Sequence, residues 1–170
     1  MLIKKNIHLL FILLLVFSTA VIPLEATAAD YKSPEDFTEY IYKNYSEENF
    51  AEVYKNFAEE LKEILTEETY LNFQKENFKD YDLEFTEIEV QKAEKIDFKE
   101  IKSKFDYAED SGQYYKLKVN YLIKFSHFGS RDKESGKSVY LQKEDSDYSL
   151  LWDYKEAIDS DKSAGDDKDD

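Results

Sequence analysis

The chain has 170 residues, of which 38 are acidic and 23 basic, and its formal net charge is −15. This charge argues against binding to nucleic acid or to anionic lipid, because both partners are themselves polyanions. The sequence contains no cysteine, which excludes disulfides, thiolate metal sites and a lipid-anchored thiol. Its 14 tyrosines and 12 phenylalanines must therefore supply much of the stabilising core.

The N-terminal segment has the order of a secretory signal peptide. A positively charged start precedes an apolar run over residues 7–24, and Ala26 and Ala28 form an A-x-A site that predicts cleavage before Ala29. The alternative is an uncleaved anchor, which Pro23 disfavours, since a spanning helix needs about 20 predominantly apolar residues. We expect an extracytoplasmic protein, secreted or associated with the cell envelope, with no stable membrane insertion after cleavage.

Three amphipathic helices are predicted next. Ser33 is a candidate N-cap, Pro34 suits the first helical position, and this helix should end near Asn44. A second helix should begin at Ser46 and carry the strongest apolar stripe at helical spacing, formed by Phe50, Val53, Tyr54, Phe57, Leu61, Ile64 and Leu65. Thr66 is the candidate cap of the third helix.

The period of the apolar residues changes to two from about Asp82, which indicates strands. Leu83 and Phe85 lie on one parity but Ile88 and Val90 on the other, and this shift predicts a bulged or bent strand.

The clearest strand pattern runs over residues 114–125. One parity is wholly apolar or aromatic and consists of Tyr115, Leu117, Val119, Tyr121, Ile123 and Phe125. The other is mostly cationic and polar, with Lys116, Lys118 and Lys124. Because side chains alternate across a strand, we expect one face to be buried under the helices. The lysine face is then a candidate surface for a partner in an otherwise acidic protein.

Shorter elements surround this central strand. A weaker strand is predicted over residues 104–108, and a turn over residues 110–112 leads into the central strand. A polar loop is expected from Gly129 to Gly136, and residues 139–143 and 148–154 predict a closing hairpin. Helices followed by strands indicate an α+β fold.

The acidic tail, residues 159–170, is poor in apolar residues, and we expect it to be disordered. Asp159, Asp161, Ser163 and Asp170 match the spacing of a calcium loop, but Ala164 occupies the position that requires glycine. A solvated tail is the favoured interpretation. The domain organisation predicted is a signal peptide at residues 1–28, one domain at 29–158 and the tail.

Few residues suggest chemistry. His127 is the one histidine expected in the mature chain, and without an orienting carboxylate it does not define a catalytic site. No phosphate-binding loop and no nucleophile motif are present, so we predict no enzyme, no metal and no cofactor. The candidate residues for binding a ligand or partner are Tyr115, Tyr121, Lys116, Lys118, Lys124, His127 and Trp152.

The pattern of elements resembles a nuclear transport factor 2-like domain. It is similar, in particular, to the N-terminal domain of penicillin-binding transpeptidases of the methicillin-resistance type. The residues that carry the likeness are the segment Asn49 to Tyr54, then Tyr115, Val119, Tyr121 and Gly129, and a final element with Tyr148, Leu150, Trp152 and Asp153. The resemblance implies a cone-shaped fold in which N-terminal helices pack on a curved antiparallel sheet.

In those transpeptidases this domain is a non-catalytic spacer and interaction platform, and here we expect no catalytic domain to follow it. The resemblance therefore implies a secreted, non-catalytic binding module of the cell envelope, whose partner is a protein or a wall component. Two alternatives stay open. One is a small-molecule-binding protein or pocket enzyme of the same fold; the other is an accessory or immunity protein that binds a basic partner.

Overall fold

The computed structural model describes residues 31–125 and 131–166. It confirms a mixed α+β fold in which helices are followed by a strongly curled antiparallel sheet. The elements in chain order are α1 (Pro34–Ser46), α2 (Phe50–Lys55), α3 (Glu59–Lys62), α4 (Glu67–Tyr81), β1 (Leu83–Val90), β2 (Glu94–Ile96), α5 (Phe98–Lys104), β3 (Gln113–Phe125), β4 (Arg131–Glu144), β5 (Asp147–Leu151) and α6 (Lys155–Asp166). None of the helices in these two ranges has the length and apolar character needed to cross a membrane.

The predicted helix starts are confirmed at both caps. The Ser33 side chain accepts a hydrogen bond from the Asp36 amide at 3.1 Å, and Pro34 is the first helical residue of α1. The Thr66 hydroxyl accepts a hydrogen bond from the Thr69 amide at 3.2 Å and caps α4 in the same way. Each bond satisfies an amide that has no partner within its own helix.

The single second helix predicted from the apolar stripe is wrong, because the segment is divided into α2 and α3. The break lies where the chain meets β5. The Leu150 amide donates to the carbonyl of Asn56 at 2.7 Å, and the Ala58 amide donates to the carbonyl of Leu150 at 3.1 Å. Phe57 and Leu150 thereby form an isolated parallel bridge. Most of the stripe is nevertheless buried, but Ile64 is 40% exposed.

The central strand β3 has the predicted buried face. It pairs in antiparallel fashion with β1 and β2 on one side and with β4 on the other, and β5 pairs with β4. On its apolar parity Leu117 and Val119 are fully buried in the core beneath the helices. The predicted bulge is also confirmed, since the pairing of β1 with β3 shifts between Thr86 and Glu89, and Glu87 has a φ of 52°.

The opposite face of the sheet is partly covered, which the sequence pattern did not indicate. Tyr114 is buried there in a second cluster with Ile101, Phe105 and Tyr140. Helix α5 and the turn after it supply this cover, so the strand predicted over residues 104–108 is wrong. Tyr114, an aromatic residue on the otherwise polar parity of β3, is the sequence signal that part of this face is buried.

Strand β4 begins earlier than expected. The polar loop predicted from Gly129 to Gly136 is wrong from residue 131 onward, because β4 pairs with β3 along its whole length. Residues 126–130, including His127, lie outside the described residues. The closing hairpin is confirmed by the pairing of β4 with β5, and Asp145 in its turn has a φ of 49°.

Helix α6 differs from the expected disordered tail. It extends to Asp166, beyond the boundary predicted at residue 158, and it is held by Ala157, which is buried in the core. Residues 159, 161 and 163 of the calcium-loop spacing therefore lie on a helix. Asp170 and the signal segment, residues 1–28, lie outside the described residues.

Candidate functional site

A cavity of about 610 Å³ lies between the helices and the sheet and extends around the edge of β4, because its lining includes Val139 of the inner face together with Phe105 and Tyr140 of the opposite face. Strand β5 covers only the end of β4 from Tyr140 onward, and the cavity follows the preceding residues of β4, Gly136 to Val139. This volume is within the range of sites that bind small organic molecules.

Aromatic rings form much of the wall of this cavity. They come from α1, α4, β1, β3, β4 and the segments after α5 and β5, and they are Tyr42, Tyr45, Tyr70, Phe73, Phe85, Phe105, Tyr121, Tyr140 and Trp152. The rings contact each other as well. Tyr121 lies 5.2 Å from Phe85 and 6.0 Å from Tyr42 between ring centroids, and Trp152 lies 5.3 Å from Tyr70. Such a wall is apolar over its ring faces and rigid, because each ring is packed by its neighbours.

Polar groups lie among the rings of this wall. The Tyr45 hydroxyl donates a hydrogen bond to Oε1 of Gln74 at 3.0 Å, and Gln74 is itself buried. Burial raises the pKa of Tyr42, Tyr45 and Tyr70 above the ordinary value of 10.0. These hydroxyls therefore stay neutral at physiological pH and can act as hydrogen-bond donors.

Lys137 brings an amine into the cavity. In the register of the sheet it lies opposite Val119, and it shares the parity of Val139 and Leu141, which belong to the core. Because side chains alternate along a strand, the Lys137 side chain lies on the inner face and lines the cavity. The sequence pattern does not reveal this residue, because the predicted strand begins at residue 139, after Lys137, whereas β4 begins at Arg131.

The electrostatics of Lys137 follow from its position. Burial lowers the pKa of its ammonium below 10.5, and the negative charges of Glu156 and Asp153 act in the opposite direction. Lys137 is nevertheless exposed to solvent that enters the cavity, so the neighbouring protein atoms remove only part of its hydration and the fall in its pKa is correspondingly limited. Among the described residues no carboxylate forms an ion pair with it.

The two acidic residues come from the chain between β5 and α6. Asp153 and Glu156 both line the cavity, and Oδ1 of Asp153 accepts a hydrogen bond from the Lys155 amide at 3.3 Å. The preceding Trp152 is fixed through its backbone. The Tyr107 hydroxyl donates to the Trp152 carbonyl at 3.0 Å and accepts from the Trp152 amide at 2.9 Å.

The structure separates the residues that the sequence proposed for binding. Tyr121 and Trp152 line the cavity. Tyr115 lies elsewhere, with its ring 6.2 Å from that of Tyr148 and its hydroxyl donating to Gln113 at 2.9 Å. His127 is outside the described residues.

The lysines of β3 lie on the outer parity, away from the cavity wall. Nζ of Lys116 is 3.1 Å from a carboxylate oxygen of Glu100, and Nζ of Lys124 is 3.4 Å from one of Glu84. Lys118 is exposed and shares a shallow groove with carboxylates that include Glu89. Each lysine thus has acidic neighbours, and a partner-binding role for this face stays a prediction.

Replacing Lys137 with methionine is expected to stabilise the fold at neutral pH only slightly, by no more than about 0.5 kcal/mol, because the ammonium is exposed and solvent screens most of its desolvation penalty. Because the pKa of Lys137 is lower in the folded chain than in the unfolded chain, the charged ammonium makes the folded state less stable. This loss of stability is complete at pH values below the folded pKa, and it disappears as the pH rises from the folded pKa to the unfolded value of 10.5. Urea unfolding at a series of pH values should show the two proteins converging in alkali. Lys133→Met on the exposed part of β4 is the matched control.

If Lys137→Met is instead less stable than the wild type at neutral pH, the attraction to Glu156 and Asp153 outweighs desolvation. The ammonium would then be a structural group.

Comparison of the chain with models of known protein families and with curated proteins gives no match.

Proposed function

We propose that the protein is a secreted, non-enzymatic binding protein of the cell envelope that holds a small organic molecule inside a nuclear transport factor 2-like domain. The observation that carries this proposal is the cavity of about 610 Å³, lined by aromatic rings, by the amines of Lys104 and Lys137 and by two carboxylates. An apolar pocket with a few convergent polar groups is the usual form of a small-molecule site.

The fold and the location are supported by separate observations. Helices that precede a curled antiparallel sheet, with a cavity between the two layers, fit the cone expected from the resemblance. The signal-peptide pattern of residues 1–28 supports export.

A pocket enzyme is the second candidate. The observation in its favour is that Asp153, Glu156 and Lys137 line the same unfilled cavity, because carboxylates and a partly desolvated amine are groups that can transfer protons. Turnover of a bound compound would distinguish this candidate from simple binding.

A bulky side chain that projects into the cavity is expected to weaken ligand binding there. Asn77 is half-buried on α4 and lines the cavity, whereas Asn72 on the same helix is exposed. Asn77→Trp should therefore occupy part of the space and lower the affinity for an apolar dye at least about tenfold, which is about 1.4 kcal/mol. Asn72→Trp adds the same side chain outside the cavity and should leave affinity unchanged.

The measurement is a fluorescence titration with the neutral, polarity-sensitive dye Nile red. Saturable binding that is weakened only by Asn77→Trp supports a ligand in the cavity. Equal binding by the wild type and both variants would place the dye elsewhere and contradict the proposed function.

A further inference from the structure

The charged groups of the cavity differ in sign. Lys137 supplies a cation from β4, and Asp153 and Glu156 supply anions from the chain after β5. Lys104 also lines the cavity, but its Nζ lies 5.2 Å above the centre of the Tyr140 ring, which already stabilises that charge. The groups left for a ligand are one ammonium and two carboxylates.

A ligand with a single charge fits this arrangement poorly. An anion attracted by Lys137 would lie near Asp153 and Glu156, whose negative charges already act on the Lys137 ammonium. A cation attracted by the carboxylates would meet the Lys137 ammonium in the same cavity. In each case one attractive contact is opposed by a like charge, and although all three groups are exposed, this opposition lowers the affinity for a singly charged ligand.

A zwitterion meets both requirements. Its carboxylate can accept hydrogen bonds from the Lys137 ammonium, which lacks an ion-pair partner among the described residues. Its ammonium can be placed against Asp153 and Glu156 and over aromatic rings, which attract cations.

The aromatic wall indicates what the rest of the ligand is. Rings such as Tyr42, Tyr121 and Trp152 offer apolar faces rather than further charges. An apolar side chain packed on them would leave water and gain roughly 25 cal/mol for each Å² removed from solvent.

We infer that the cavity selects amino-acid-like zwitterions with an aromatic or large apolar side chain, bound with the carboxylate at Lys137 and the ammonium at Asp153 and Glu156. This inference rests on the proposed function, since it names the class of molecule that the cavity takes.

The test uses three compounds with the same phenyl body and different charges: phenylalanine, phenylpropionate and phenethylamine. Isothermal titration calorimetry with the purified protein should show phenylalanine binding at least about tenfold more tightly than either singly charged compound. Nile red displacement by phenylalanine should confirm that the compound occupies the cavity.

Variants assign each end of the ligand. Lys137→Met should weaken phenylalanine at least about tenfold and should not weaken phenethylamine, which has no carboxylate. The double variant Asp153→Asn with Glu156→Gln should weaken phenylalanine and should not weaken phenylpropionate. Lys133→Met, an exposed lysine of the same strand, is the control and should change none of the three affinities.

The outcomes separate this inference from the proposed function. If Nile red binds in the cavity but phenylalanine binds no better than phenylpropionate or phenethylamine, or if none of the three binds, the zwitterion class is wrong and the cavity still binds a ligand. If Nile red also binds independently of Asn77→Trp, the proposed function itself fails.

Discussion

Replacing Phe57 with alanine is expected to lower the free energy of unfolding by about 3–5 kcal/mol. Phe57 is 2% exposed, and its ring lies 4.9 Å from Tyr70 and 5.9 Å from Trp152 between centroids. Both of these partners line the cavity, so the loss removes the packing behind the cavity wall. Urea unfolding should give a lower midpoint with an unchanged slope.

Ile64→Ala is the matched control, because Ile64 belongs to the same apolar stripe but is 40% exposed. Its cost should be about 1 kcal/mol or less, as for most exposed positions. Equal costs at Phe57 and Ile64 would contradict the difference in burial between the two positions.

The break between these two helices shows what the sequence could not predict. The stripe from Phe50 to Leu65 has helical spacing, and this local pattern correctly predicts burial. The backbone at Asn56 and Ala58 instead bonds to Leu150, which is far away in the chain. A pairing between distant segments leaves no mark in the local periodicity, so it overrides helix propensity without a sequence signal.

Features that depend on local chemistry were predictable. The caps at Ser33 and Thr66, the bulge in β1 and the buried parity of β3 were each read from residues within a few positions. Strand β4 was not predictable at its start, because charged and polar residues such as Lys133 and Glu134 occupy both parities there. Its extent is set by pairing with β3 rather than by its own pattern.

The difference between local patterns and pairing of distant segments also explains which cavity residues the sequence predicts. Tyr121 and Trp152 were predicted because they lie on strongly patterned segments, and both line the cavity. Lys137 was missed because its inward position follows only once the register of β4 against β3 is known. A lysine that shares the parity of Val139 and Leu141 is the signal that would have found it.

Replacing Gly112 with alanine is expected to destabilise the fold by about 2 kcal/mol or more, because it adds both strain and a collision. Gly112 precedes β3 with a φ of +147°, a conformation that side chains rarely adopt. A Cβ atom there would collide with the backbone carbonyl of Lys143, which is held in the β3–β4 pairing and cannot move aside.

Gly136→Ala is the control within the same sheet. Its Cβ would meet the Asn120 Oδ1 atom at 3.0 Å and the Lys118 Cε atom at 3.1 Å, and both belong to side chains that can shift. Its effect should stay within about 0.5 kcal/mol, since a strand glycine also loses more backbone entropy on folding than alanine does.

Gly112→Asn separates the possible causes of the Gly112 effect. Asparagine tolerates left-handed backbone near a φ of about +57°, but Gly112 lies far from that region, so asparagine should be no better than alanine. Thermal unfolding of the three variants gives the comparison. Two results would contradict this explanation: wild-type stability in Gly112→Asn, or a loss of stability in Gly136→Ala as large as in Gly112→Ala. Either result would mean that the φ of +147° is not the reason why position 112 requires glycine. Because β3 carries Val119 and Tyr121 toward the cavity, a displaced start of this strand should also weaken Nile red binding.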